Sequence, residues 1–171
     1  MTTNKSPAQF VANVVALAEG ELIGRTRLQK TLCLMELGGV GPGFSYSYHH
    51  YGPYSEEVSV AASDAAILGL LKEDSRRASW GGRYSVFRVD QSSVDLDEND
   101  PAKGLVSKAK SADGIALELA ATAAFLASRG SQHPWADVAR LKPEKSNSIE
   151  NAKSLYEELR SIDLPKQLPA I

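Results

Sequence analysis

The residues able to do chemistry are few, and their spacing keeps them apart. His49 and His50 are neighbours on an expected strand, so their rings point to opposite faces, and His133 stands far along the chain. A zinc site normally needs three or four converging ligands, so no metal site is expected. Glu56 and Glu57 come nearest to a carboxylate pair for acid–base work. Neighbouring side chains on a helix diverge by about 100°, and carboxylates suit the positive end of a helix in any case. Cys33 lies among Leu32, Leu34 and Met35 and reads as a small buried hydrophobe rather than a reactive thiol. As the one cysteine of the chain it can form neither an internal disulfide nor a multi-cysteine zinc site. No nucleophile-plus-base pattern, phosphate-binding glycine loop or dinucleotide fingerprint occurs. Gly38-Gly39-Val40-Gly41 lacks the lysine and the spacing of a P-loop. The expectation is a protein without catalytic residues, metal or cofactor.

Two groupings suit binding better. Tyr46, Tyr48, Tyr51 and Tyr54 cluster within nine positions. Aromatic strand faces usually bury, so core packing is the ordinary reading. The functional one is a protein-binding surface, where tyrosine buries area at little entropic cost. Basic residues gather at Arg76, Arg77, Arg83 and Arg88, and again at Arg25, Arg27 and Lys30. Converging in space, they could hold nucleic-acid phosphates; apart, they are ordinary solvated surface.

The elements that must position these groups can be read in order. Ser6-Pro7-Ala8-Gln9 opens a helix with a capping box, Phe10, Val14 and Leu17 follow at helical spacing, and Gly20 ends it. Thr26-Arg27-Leu28-Gln29 reads as a second capping box, before a helix with Leu28, Leu32 and Met35 on one stripe, stopped at Gly38-Gly39. Phe44, Tyr46 and Tyr48 alternate with polar residues as in a strand with one aromatic face. At Tyr51-Gly52-Pro53-Tyr54-Ser55 the chain turns a sharp corner into a helix capped by Ser55. Val58, Ala61, Ala65 and Leu68 follow its inner face to Gly69.

After a polar stretch, Lys72 to Ser79, the turn at Gly81-Gly82 opens a strand through Tyr84 and Val86. Strands around a glycine turn directly after a helix look like the wing of a winged helix. The helix before that wing carries Glu56, Glu57 and Asp64 with no Lys or Arg, which weighs against base readout by it. Asp90–Asp100 reads as an acidic, solvated linker. A short helix is expected over Lys103–Lys110 and a strong one capped by Asp113, with Ile115, Leu119, Thr122 and Leu126 on one face. Another runs from Pro134 to Pro143, and a last one follows an Asn147–Glu150 capping box to Ile162. The tail from Leu164 is expected to be loose.

The 171 residues, 43% apolar and 23% charged, suit one full core, or a core with an appended helical subdomain. A net charge of −2 argues against a surface that is wholly a nucleic-acid clamp. No apolar run approaches the roughly 20 residues of a bilayer span, and the start, Met1 to Ser6, lacks the apolar core of a signal peptide. The cytoplasm is the expected location, with no membrane partner.

Leu28-Gln29-Lys30 on an apolar helix, the Tyr51-Gly52-Pro53-Tyr54-Ser55 corner and the helix ending Gly69-Leu70-Leu71 resemble the YwgA family. They are also similar to the Panacea domain of SocA-type antitoxins. Ala121-Thr122-Ala123-Ala124-Phe125-Leu126, Leu141-Lys142-Pro143 and Ile149-Glu150-Asn151-Ala152 extend the YwgA likeness, which runs from about Gly24 to Leu159. The resemblance implies a helical, winged-helix-like protein without known catalysis; Panacea members act as antitoxins, and the SocA type delivers its toxin to a protease. The expected architecture is mostly α. A winged-helix-like unit with a small β-hairpin (1–90), an acidic linker with a short helix (91–112) and C-terminal helices (113–171) would form one integrated domain. The expected function is a non-enzymatic protein-interaction module, antitoxin-like or adaptor-like, with a toxin or protease as partner. The alternative is a nucleic-acid-binding regulator that contacts phosphates through its arginine-bearing wing.

Overall fold

Ser6 Oγ accepts the Gln9 N–H at 3.2 Å and so caps the first helix, α1 (Pro7–Leu17). The return contact of a capping box is not made: the Gln9 amide donates to Asn13 Oδ1 at 2.9 Å instead. These details come from a computed structural model, which describes residues 5–171. The Met1–Asn4 start, read above for a leader, lies outside them.

A three-residue strand, β1 (Glu21–Ile23), precedes α2 (Arg25–Leu37); three residues are too few for alternation to reveal. Gly24, at φ +98°, is the N-cap of α2, so Thr26 lies inside the helix and the expected capping box there does not exist. Leu28, Leu32 and Met35 are buried as expected, and Cys33 with them. Burial pushes the Cys33 thiol up to about 12, consistent with an inert side chain.

The aromatic run gives a shorter strand than alternation suggests. Phe44 and Tyr46 are buried but precede β2 (Ser47–His49), whose Tyr48 is exposed. The chain folds back over His50-Tyr51 and pairs β2 antiparallel with β3 (Gly52–Tyr54), Tyr48 opposite Pro53. The corner is thus a hairpin. It leads into α3 (Glu56–Ile67), with Ser55 Oγ accepting the Val58 N–H at 3.3 Å and Glu56 and Glu57 in the first turn. Val58, Ala61 and Ala65 are buried, whereas Leu68 lies past the helix end and faces solvent.

Strands β4 (Lys72–Arg77) and β5 (Arg83–Arg88) pair antiparallel around Gly81-Gly82, and β1 joins the far side of β5, giving the order β1-β5-β4. The polar Lys72–Arg77 stretch forms a strand because it is an edge, where charged side chains face water. The expected linker is exposed in the main but pinned. Gln91 donates to the Ala16 carbonyl at 3.0 Å, and Val94 and Leu96 pack on the core.

The second half comprises α4 (Lys103–Ser111), α5 (Gly114–Ser128), α6 (Pro134–Leu141), a 3-10 turn (Pro143–Ser148) and α7 (Ile149–Arg160). Ser148, not Asn147, precedes α7, and no side chain caps it. Asp113 caps α5 through the Ala116 N–H at 3.0 Å. From Ala116 to Phe125 every residue of α5 is buried, because its alanines admit α2 on one side and α6 and α7 on others. Ile115, expected on the buried face, is 43% exposed. The tail is not loose: Leu164 and Leu168 are buried, the Tyr156 hydroxyl donates to Pro169 O at 2.5 Å, and the Lys166 N–H bonds Gly38 O at 3.0 Å. Among the described residues the protein is mostly helical, with two small antiparallel sheets. No helix there is long and apolar enough to cross a membrane.

Candidate functional site

The β2–β3 hairpin is fixed from inside by side chains far apart in sequence. From α2, Gln29 brackets Ser55: its amide donates to Ser55 O and its oxygen accepts the Ser55 N–H, both at 2.9 Å. One residue on, Lys30 donates its ammonium to Pro53 O at 2.8 Å. Lys142, just past α6, donates to His50 O at 2.9 Å and lies over the Tyr48 ring, while Lys145 lies over that of Tyr51. Lys142 and Lys145 share one carboxylate, Glu118 of α5, each at 2.8 Å.

Glu118 is only 4% exposed, and Lys30 and Lys142 only 2%. Three ammonium groups therefore surround one buried carboxylate. Lys30, which has no carboxylate within bonding distance among the described residues, meets only a carbonyl. Burial is the main reason its amine is lowered to about 8, against the partial support of Glu118. Gly52 closes this packing. It sits at φ +91°, and a Cβ there would come within 2.5 Å of Thr122 Oγ1 and 3.5 Å of Lys30 Cε. Only glycine lets the hairpin lie so close to α5.

Two cavities flank Tyr51. A cleft of about 310 Å³ lies between α2, α3, the hairpin and the β4–β5 sheet, with Leu28, Val58, Ala62 and Phe87 on its walls. A second, of about 370 Å³, lies between the N-terminal ends of α2 and α5 and is lined by Arg27, Lys30, Tyr51, Asp113, Ile115 and Glu118 among others.

The tyrosines divide. Tyr46 is buried with its hydroxyl unpartnered, and burial raises that hydroxyl far above the usual phenol range. Tyr54 is half-buried, its hydroxyl on Glu56 at 3.2 Å; Tyr48 is exposed, and Tyr51 is 57% exposed. The basic residues divide as well. Lys30 is internal, and Arg27 donates to the carbonyls of Ile23, Ala109 and Ala112. Arg25 pairs with Glu73, and Arg88 with Glu21 and Asp74. Arg83 donates to Ser75, leaving Arg76 and Arg77 without a carboxylate partner among the described residues. His49 rests against the Tyr54 ring and His50 against that of Tyr51.

Glu118, Lys142 and Lys145 escaped sequence reasoning as a cluster. The available signal was Glu118 itself, the one charged residue in the apolar run Gly114–Ser128, where a charge is rarely buried without a partner.

No family model matches the chain. No solved structure matches it either. The chain is 27% identical over 150 residues to Uncharacterized protein YwgA of Bacillus subtilis (strain 168), an overlap of 84% of this chain and 90% of that one. Several of the segments that resembled YwgA proteins converge here: Gln29 and Lys30, the Tyr51–Ser55 corner, Thr122 and Lys142. The resemblance to YwgA proteins is borne out by this similarity, which covers most of the chain.

Proposed function

We propose that this protein is a non-enzymatic protein-interaction module that seats an apolar side chain of a partner protein in the cleft beside Tyr51. The observation that carries the reading is the pairing of that apolar cleft with two exposed tyrosines on a hairpin braced from within. A rigid aromatic next to a concave apolar wall is the usual anatomy of a binding hot spot. The outer face of α3 extends the surface, since Val60 and Ile67 are exposed on the helix that lines the cleft. The Panacea likeness supports an antitoxin-like or adaptor-like role, with a toxin or protease as partner.

The test is to co-express the chain with the products of adjacent genes and measure complex stoichiometry by light scattering. A defined complex that dissociates on Tyr51→Ala, and on Ser63→Arg at the cleft wall, supports the proposal. A complex indifferent to both substitutions overturns it.

A second reading keeps one specific observation in its favour. The order α1, β1, α2, α3, β4, β5, interrupted by the β2–β3 hairpin before α3, is winged-helix-like, and Arg76 and Arg77 stand without carboxylate partners among the described residues on the would-be wing. Under it, labelled duplex DNA should bind with a steep negative salt slope that flattens in the Arg76→Ala, Arg77→Ala double variant. No change in anisotropy at low salt removes it.

A further inference from the structure

We infer that the cavity between the N-terminal ends of α2 and α5 is a binding site for a small oxyanion, a carboxylate or a phosphate group, held between Arg27 and Lys30. The site is distinct from the partner cleft, though Thr26, Lys30 and Tyr51 line both.

The argument is one of unmatched charge in a confined space. Arg27 and Lys30 are one turn apart on α2 and both line the cavity. All their hydrogen-bond acceptors are neutral: Pro53 O for Lys30, and the Ile23, Ala109 and Ala112 carbonyls for Arg27. Neither has a carboxylate within bonding distance among the described residues. Lys30 is buried and Arg27 half-buried, and a cation withdrawn from water is costly unless an anion compensates it.

Of the two carboxylates on the cavity wall, Glu118 is engaged, and Asp113 supports the Arg27 charge only through space, without a direct contact. Glu118 is shared by Lys142 and Lys145, and Asp113 spends Oδ2 on the Ala116 N–H at 3.0 Å. The cavity wall itself carries two cations and two carboxylates, and Lys142 and Lys145, off the wall, neutralise Glu118 from its other side.

The helix end points the same way. α2 begins at Gly24, with no side chain to cap it and no acidic residue in its first turn. Its positive end therefore lies at the cavity with no carboxylate of its own first turn to compensate it. An oxyanion would complete all three deficits at once: the two side-chain charges and the open helix end. The lowered Lys30 amine is what the empty site predicts, and an anion would raise it again.

The experiment uses the full chain at pH 7 and constant ionic strength, replacing sodium chloride stepwise by sodium phosphate or by sodium acetate. Amide chemical shifts are read by two-dimensional NMR. The expected result is saturable movement of amides in Gly24–Lys30 and Asp113–Ala116 with one or both anions. Saturation by acetate alone assigns a carboxylate ligand; saturation by phosphate alone assigns a phosphate.

The companion variant is Ile115→Glu, which sets a carboxylate at the exposed rim of the cavity, in the first turn of α5. It should fold normally and abolish the saturable response, because its own charge takes the place of the ligand. Linear shifts no different from those in chloride, or saturation undiminished in Ile115→Glu, would overturn the proposal.

Discussion

The β2–β3 hairpin and the β4–β5 ribbon are built from the same kinds of charge and use them in opposite ways. Around the hairpin, Lys30 and Lys142 point inward and meet backbone carbonyls, while Lys142 and Lys145 share the buried Glu118. Along the ribbon, Arg88 lies across the strands in water and pairs with Glu21 and Asp74, and the exposed Arg25 of α2 reaches over to Glu73. In the dry setting each charge has been stripped of solvent, so its partners must all be present for it to be tolerated. In the wet one solvent competes for each contact, and a lost partner is replaced. One lesson is that a count of basic residues says nothing about which are available to bind: the internal cations organise a loop, and the external ones stay at a surface.

The sharpest way to break this comparison is to remove the shared carboxylate. Glu118→Gln keeps the volume but leaves the buried Lys142 and the partly exposed Lys145 without their shared counter-charge. Breaking a buried pair costs about 3–5 kcal/mol, and urea unfolding midpoints should fall accordingly. A loss below about 1 kcal/mol, the range of exposed pairs, would mean that the cluster is wetter than its burial indicates.

The Lys30 amine gives the second test through pH. Its native value is about 8 against 10.5 for the ordinary group, so between those values the unfolded chain binds the proton that the native chain has released. Stability should therefore rise with pH across that window, while below pH 8 the cost of the buried charge is fully present. At about 1.4 kcal/mol per pH decade the gain approaches roughly 3 kcal/mol. The measurement is the difference between the wild-type and Lys30→Met unfolding free energies from pH 7.5 to 10, which cancels the titration of other groups. A flat difference would show that Lys30 is solvated in the native state.

How much of this was legible in the chain follows from the same contrast. Local signals were read well where the physics is local: Ser6, Ser55 and Asp113 cap helices through their own side chains, and Gly81-Gly82 turns the ribbon. The capping box at Thr26–Gln29 failed because a tertiary partner outbid it: Gln29 is drawn to the Ser55 backbone 26 residues away. At Asn147–Glu150 the helix starts one residue later, after Ser148, and Glu150 pairs locally with Lys153. The Leu164–Ile171 tail read as loose because its anchors, Tyr156 and Gly38, belong to other elements. The site was legible only as fragments. Lys30 and Tyr51 stood out by resemblance and Lys142 lay within a quoted motif, but what joins them is Glu118, whose partners lie 24 and 27 residues further along the chain.

The smallest expected effect sharpens the other side of the comparison. Arg88 lies on the central strand of its sheet, opposite Glu21 on one neighbour and within 3.9 Å of Asp74 on the other, so it ties together all three strands. In a dry interior such a bridge would be indispensable. Here its side chain is 45% exposed, and both carboxylates are comparably open to water. Arg88→Ala should therefore cost no more than about 1 kcal/mol, the upper range for exposed or cross-strand pairs. Most of that loss should vanish in 1 M salt, where the screening length falls to about 3 Å. Glu118→Gln should show almost no such salt dependence, because mobile ions do not reach its partners. Parallel urea titrations of the two variants at low and high salt make the distinction, and equal salt sensitivity would remove the contrast between the internal cluster and the exposed one.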